Sequence, residues 1–369
     1  MTPLRLCHRH RFAVGFAVLA GVAACSDGGP DPVEPTPDPP GTPAPADTLW
    51  HGVGLSPAGF PADFNGIETF FAEMGGLATG AVMQNGPWRD DLVGGTDAGQ
   101  IPAGHDAVLK RAAAHGYRPV LVFGWRSEGG NFLSLPGHPA NDWTNTDAAQ
   151  AFQAMVVDVA RTWTPPFLFL GNESDFYYAE DPVDYARWVA AYEQMYDAIK
   201  AVSPGTRVGP VFNFEHLAGA GGLNGWSTSN WGALDAHGGD HMDVVGLTLY
   251  PFFGHARASE LPGDYLSPLL SRLNGIPLAI TETGWPAEDL VGGAPWETGE
   301  DQQVAFLGRL DSLLSGVQVD LINWLFLHPM TLDANAPIAH KVFGSISLRT
   351  ATGAKRPVYD LFTGWTPGG

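Results

Sequence analysis

Cysteine is nearly absent. The 369 residues hold two, Cys7 and Cys25. Cys7 falls in an N-terminal segment that reads as a cleaved leader. Only Cys25 then remains, which excludes an internal disulfide and a Cys-based metal site. The fold must rest on its core. Positive charge is also scarce: 19 Lys and Arg stand against 39 Asp and Glu, a formal net charge of −20. Nucleic acid and anionic lipid headgroups need cationic partners, so neither fits this chain. A neutral substrate suits it better than a polyanion. No Gly-rich phosphate loop follows the first apolar strand pattern, which argues against a doubly wound nucleotide-binding sheet. No internal sequence repeat is present.

The N-terminus is informative. Arg5, Arg9 and Arg11 precede an apolar run over 12–24. That run is shorter than the roughly 20 residues a bilayer span takes, and suits the core of a signal peptide. Val22-Ala23-Ala24-Cys25 then resembles the lipobox of bacterial lipoproteins, which implies lipidation of Cys25 and anchorage to a membrane through that lipid. Cleavage before Cys25 removes three arginines and no acid, taking the formal charge from −20 to −23. Residues 25–47 follow as a Pro-, Asp- and Gly-rich stretch that cannot bury enough surface to fold, and reads as a disordered tether. The expected organisation is a signal at 1–24, a lipidated tether at 25–47 and one domain at 48–369. The product is expected to be exported to the cell envelope. Ser26, where inner-membrane retention is associated with Asp, points to the outer membrane or cell surface.

Beyond the tether, short apolar runs recur eight times, at 50–55, 76–83, 118–125, 167–173, 207–214, 244–250, 278–282 and 321–327. Helical patterns separate most of them. One starts at Asp181-Pro182, with a cap followed by proline in the first turn. Another spans about 146–163, and a third begins at a capping-box-like pair, Thr298 and Asp301. Eightfold strand–helix alternation predicts an α/β protein with a single (β/α)8 TIM barrel.

Two of the runs end in carboxylates. Phe167-Leu168-Phe169-Leu170-Gly171-Asn172-Glu173 closes the fourth strand and Pro277-Leu278-Ala279-Ile280-Thr281-Glu282 the seventh. The C-terminal ends of barrel strands are where this fold keeps its active sites. Glycoside cleavage needs such a pair, one group to protonate the leaving oxygen and one to attack or to activate water. The ordered pair resembles clan A of the glycoside hydrolases, the 4/7 superfamily. Asn172-Glu173 is similar to the clan's acid/base motif. Ile280-Thr281-Glu282-Thr283-Gly284-Trp285-Pro286 resembles the nucleophile motif of the family 17 endo-β-1,3-glucanases. Family 53 β-1,4-galactanases carry similar motifs. The clan often places an Arg near the end of strand two, and here Arg89 lies further on.

The resemblance implies a retaining β-glycosidase, with Glu282 as nucleophile and Glu173 as acid/base. It further implies that Asn172 meets the sugar 2-hydroxyl and that Tyr250 hydrogen-bonds the nucleophile. Trp324, Trp125 and Trp285 are the expected sugar platforms, since flat rings stack on the C–H face of a sugar. The expected substrate is a neutral polysaccharide such as β-1,3-glucan, cut internally by a monomer without cofactor or metal. β-1,4-galactan or mannan hydrolysis on the same site is the alternative, as is a surface lipoprotein that binds glycan without cutting it. His237, Asp240, His241 and Asp243 precede strand six and read as caps and turn residues. Glu215 and His216, after strand five, could line the cleft, or Glu215 could replace one of the carboxylate pair. Asp333 and Asn335 offer two oxygens, against the 6 to 8 that calcium takes.

Overall fold

A computed structural model of the chain describes residues 49–74, 77, 81–86, 103–127, 130–131, 133, 140–365 and 367, with 81–85, 103, 126–127 and 130–131 described by backbone alone. The expected leader 1–24, Cys25, the expected tether 25–47 and Arg89 lie outside the described residues.

Eight parallel strands form the barrel: β1 (Trp50–Gly54), β2 (Ala81–Asn85), β3 (Arg118–Phe123), β4 (Phe167–Leu170), β5 (Arg207–Gly209 and Val211–Asn213), β6 (Val245–Leu249), β7 (Leu278–Thr283) and β8 (Val319–Phe326). Sheet order runs β5–β4–β3–β2–β1–β8–β7–β6–β5 and closes on itself. Closure happens inside β5. Its first half pairs with β4 and its second with β6. Pro210 sits between the halves, where it has no N–H to give. Its carbonyl accepts from Gly246 N–H at 2.9 Å.

Strand alternation sorts the side chains into two layers. Trp50, Val120, Val122, Phe167, Phe169, Val211, Val244, Ala279 and Leu321 form an apolar cluster of their own inside the barrel. Their sequence neighbours, such as Leu121, Leu168, Phe212, Ile280 and Ile322, join the larger core under the helices. At the base, Arg207 at the start of β5 pairs with Asp320 at the start of β8, two strands that are not sheet neighbours, so the ion pair crosses the floor.

The principal helices are α1 (Ile67–Glu73), α2 (Ala103–Ala114), α3 (Thr146–Trp163), α4 (Pro182–Val202), α5 (Glu300–Leu314) and α6 (Pro357–Thr363). In α3, Phe152, Met155, Val156, Val159 and Ala160 are buried at the i, i+3, i+4, i+7, i+8 spacing of one helix face. Asn145 caps it by accepting from Ala148 N–H. Asp181 caps α4 by accepting from Val183 and Asp184 N–H, with Pro182 in the first turn as the sequence suggests. The capping box expected at Thr298 and Asp301 does not form. Gly299 is the N-cap and brings no side chain, and its N–H goes instead to Pro286 O at 3.1 Å.

Candidate active site at the barrel mouth

The chain leaves β4 through a constrained turn. Gly171 has φ 81 and Glu173 φ 48. A side chain at Gly171 would meet Trp125 at 2.7 Å and Trp188 at 2.9 Å, so glycine is required on grounds of both space and conformation. A non-glycine residue in the left-handed region costs about 1–2 kcal/mol. Such outliers gather at functional sites, where the surroundings enforce them. Gly171 N–H donates to Phe123 O at 2.7 Å, Val211 N–H donates to Gly171 O at 3.1 Å, and the turn is clamped between β3 and β5.

Glu173 is buried, at 5 % exposure. Its Oε1 accepts from Asn213 Nδ2 at 3.0 Å and from Thr248 Oγ1 at 2.6 Å. Its Oε2 is buried and has no hydrogen-bond partner among the described residues. Burial, and then the charge of Glu282, push its pKa well above the carboxylate range, against the pull of the two donors. Glu282 is equally buried, and its Oε2 accepts from Tyr250 Oη at 2.8 Å. Burial raises it to about 7, while the Tyr250 hydroxyl favours its ionised form. Thr248 links the two acids. It is the register partner of Glu282 and the donor to Glu173, which sets both carboxylates on one rim of the barrel.

Behind the pair lies a second layer of acids. Asp175 accepts the Asn213 N–H on Oδ1 at 2.8 Å and meets His216 Nδ1 on Oδ2 at 2.6 Å. Asn213 Oδ1 accepts His216 N–H at 3.0 Å, so the residue that donates to Glu173 is held through both its backbone N–H and its side-chain oxygen. Glu215 is fully buried. It accepts Tyr250 N–H at 2.9 Å and Tyr265 Oη at 3.0 Å, and burial raises it to about 7. Glu215 therefore supports the tyrosine that holds Glu282.

Other residues singled out in the sequence fall in different places. Asn172 is half-buried, and its Oδ1 has no partner among the described residues. The three tryptophans expected as sugar platforms are packing residues. Trp324 is 0 % exposed and faces out of the barrel, against Phe306 of α5 at 6.2 Å and Phe362 of α6 at 5.8 Å. Trp125 fills the space under Gly171 and lies 3.8 Å from Trp188 and 5.3 Å from Trp143, ring centre to ring centre. Trp285 is fully buried and donates its Nε1–H to Glu297 O at 2.7 Å. Strand parity and packing, not ring chemistry, decide these placements.

The histidine and aspartate cluster before β6 is structural in its contacts. Asp243 accepts from Tyr196 Oη, Lys200 Nζ and Val208 N–H. His237 is buried among Tyr185, Tyr192 and Phe212, and burial lowers it to about 3. Among the described residues no group of three His, Cys, Asp or Glu is placed to hold a metal ion. Asp333 Oδ1 accepts Asn335 N–H at 2.7 Å, a turn contact. Sequence reasoning passed over Asn213 and Thr248. Thr248 could have been found two residues before Tyr250 on the same strand face, and Asn213 as the polar end of the apolar run in β5.

No protein-family model and no curated protein matches the chain. Solved structures do. An exo-β-1,4-mannosidase from Opitutaceae bacterium strain TAV5 superposes with TM-score 0.61 at 16 % identity, over 86 % of this chain and 58 % of that one. A family 39 glycoside hydrolase from Bacteroides cellulosilyticus WH2 gives 0.57 at 18 % identity, over 86 % and 63 %. A GH5_18 protein from Streptomyces cattleya, solved with Manβ1-4GlcNAc, gives 0.63 at 15 % identity, over 86 % and 79 %. The chain thus spans less than two thirds of the length of the first two. At these identities the likeness is one of architecture: the chain has the (β/α)8 barrel fold of these proteins.

Proposed function

We propose that the protein is a retaining β-glycoside hydrolase that acts on a neutral polysaccharide, with Glu282 as nucleophile and Glu173 as acid/base. The observation that carries this reading is the unequal bonding of two buried carboxylates. Both donors to Glu173 converge on Oε1, so its proton resides on Oε2, the atom with no partner among the described residues. Tyr250 holds Oε2 of Glu282 and leaves Oε1 to attack the anomeric carbon. Ionised Glu282 keeps Glu173 protonated, as an acid must be. Glu173 then protonates the leaving oxygen as Glu282 forms the glycosyl-enzyme. Esterification removes the charge of Glu282, the pKa of Glu173 falls, and Glu173 can take the proton of an incoming water.

The motif around Glu282 favours β-1,3-glucan as substrate, cut internally. A β-mannoside is the second reading, favoured by the mannosidase and the Manβ1-4GlcNAc complex among the structural matches. A binding protein that does not cut is disfavoured, because two buried acids of raised pKa cost folding free energy that binding alone would not require. The leader and Cys25 support export as a membrane-anchored lipoprotein.

The test is reducing-end release from β-1,3-glucan, β-1,4-galactan, mannan and xylan, followed by azide rescue. Glu282→Ala should be inactive on every substrate, since no covalent intermediate can form. Glu173→Ala should lose polysaccharide cleavage, keep partial activity on an aryl glycoside with a good leaving group, and yield a β-glycosyl azide when azide is added. A glycosyl azide of inverted configuration from the Glu173 variant, the product formed where azide stands in for a missing nucleophile, would reverse the two roles.

A further inference from the structure

Asn323 lies in β8 one residue before the outward-facing Trp324. Leu321, two residues earlier, belongs to the apolar cluster inside the barrel, so Asn323 points inward as well. Its height is fixed by register. Ile280 pairs with Ile322 and Thr283 with Trp324, which leaves Asn323 beside Glu282 at the upper rim. On its other side the register partner is Gly52, which has no side chain to fill the space. Asn323 is 0 % exposed. Neither Nδ2 nor Oδ1 has a hydrogen-bond partner among the described residues.

A buried amide without partners destabilises a fold, and native proteins rarely retain one without use. Leucine has nearly the same shape and would fill this position without that penalty. The amide also carries what a sugar ring needs. Nδ2 can donate to a hydroxyl oxygen and Oδ1 can accept from a hydroxyl hydrogen, with no charge to neutralise. Its neighbour is the carboxylate assigned to the attack on the anomeric carbon.

We propose that Asn323 is a substrate contact whose amide binds a hydroxyl of the sugar ring seated against Glu282, and so helps select a neutral ring with a hydroxyl at that place. The inference rests on the glycosidase reading above. It gives β8 a role at the sugar different from the one expected of Trp324.

The test compares the wild type with Asn323→Leu in two readouts. One is thermal unfolding without ligand. The other is kcat/KM on the 4-nitrophenyl β-glycoside that the wild type cleaves fastest, and on its 2-, 3-, 4- and 6-deoxy analogues. The variant is expected to unfold at the same temperature or higher, because an unpaired buried amide has been replaced by an apolar group of similar shape. Its kcat/KM on the parent glycoside should fall about 10- to 100-fold, the loss of one or two hydrogen bonds to substrate. On one deoxy analogue, the one lacking the hydroxyl that Asn323 meets, wild type and variant should agree within about twofold. A variant that unfolds earlier and keeps its kcat/KM overturns the proposal, since Asn323 would then be structural. An equal loss on all the analogues also overturns it. A wild type that cleaves none of the glycosides overturns the glycosidase reading, and this inference with it.

Discussion

Tyr250→Phe isolates one hydrogen bond at Glu282, the proposed nucleophile. The hydroxyl of Tyr250 donates to Glu282 Oε2 at 2.8 Å, and both groups are buried. The substitution leaves the ring, which packs 4.8 Å from Phe343 and 5.7 Å from Phe252, and keeps the backbone N–H that Glu215 accepts. A hydrogen bond to a charged group contributes about 1.5–3 kcal/mol. It acts on the ionised form alone, and one pKa unit corresponds to about 1.4 kcal/mol, so its loss should raise Glu282 by about 1–2 units. The starting value is about 7, set by burial. The sign is fixed by the mechanism. In the mechanism proposed above Glu282 attacks only when ionised, so kcat/KM should rise with pH through its pKa. In the variant that acid limb should move to higher pH by about 1–2 units, with a loss of about 10- to 100-fold at pH 6 that shrinks as pH rises. The assay is kcat/KM against pH on an aryl β-glycoside whose leaving group needs little protonation. An acid limb that stays in place, or moves to lower pH, would refute the assignment of Glu282 as the group that must ionise.

Three further outcomes are expected. Gly171→Ala should lower stability by about 3 kcal/mol, from the left-handed backbone and the 2.7 Å approach to Trp125, read by denaturant unfolding. It should also reduce kcat, because Glu173 stands two residues on. Glu215→Gln should change how stability depends on pH. Burial raises Glu215 to about 7, so its contribution is full below the unfolded value of about 4.3 and is lost as pH rises through about 7. The variant should therefore show a shallower fall in unfolding midpoint across that window, and an unchanged slope would show that Glu215 does not titrate there. Cys25→Ala should move the protein from the membrane to the soluble fraction with activity unchanged, and continued membrane partitioning would rule out the lipobox reading.

The fold was legible because its signals are long and redundant. Eight apolar runs, the Asp181-Pro182 start and the face of α3 from Phe152 to Ala160 all agree with one architecture. The acids Glu173 and Glu282 were legible because a carboxylate is conspicuous at the end of a buried strand. The tryptophans were not. Whether Trp324 or Asn323 faces the barrel depends on strand parity, which β8 conceals because both of its faces are buried. The donors Asn213 and Thr248 escaped for another reason. They reach Glu173 from β5 and β6, and contacts between strands 40 and 75 residues away leave no local pattern.

The facing of Glu282 depends on a further feature that spacing alone conceals. Ile280 lies in the outer core, and in a regular strand Glu282, two residues on, would face the helices with it. A bulge intervenes. Ile280 pairs with Leu247 and Glu282 pairs with Thr248, so Thr281 is the extra residue and the strand changes parity across it. The Thr281 hydroxyl donates to Leu247 O at 3.0 Å and the Thr283 hydroxyl to Leu249 O at 2.7 Å, which braces both sides of the bulge on β6. With that irregularity Glu282 turns from the helix layer to the rim shared with Thr248 and Asn323. The segment Thr281-Glu282-Thr283 thus contains both the acid and the device that aims it. Its threonines contribute by hydrogen-bonding the neighbouring strand, whatever substrate the barrel takes.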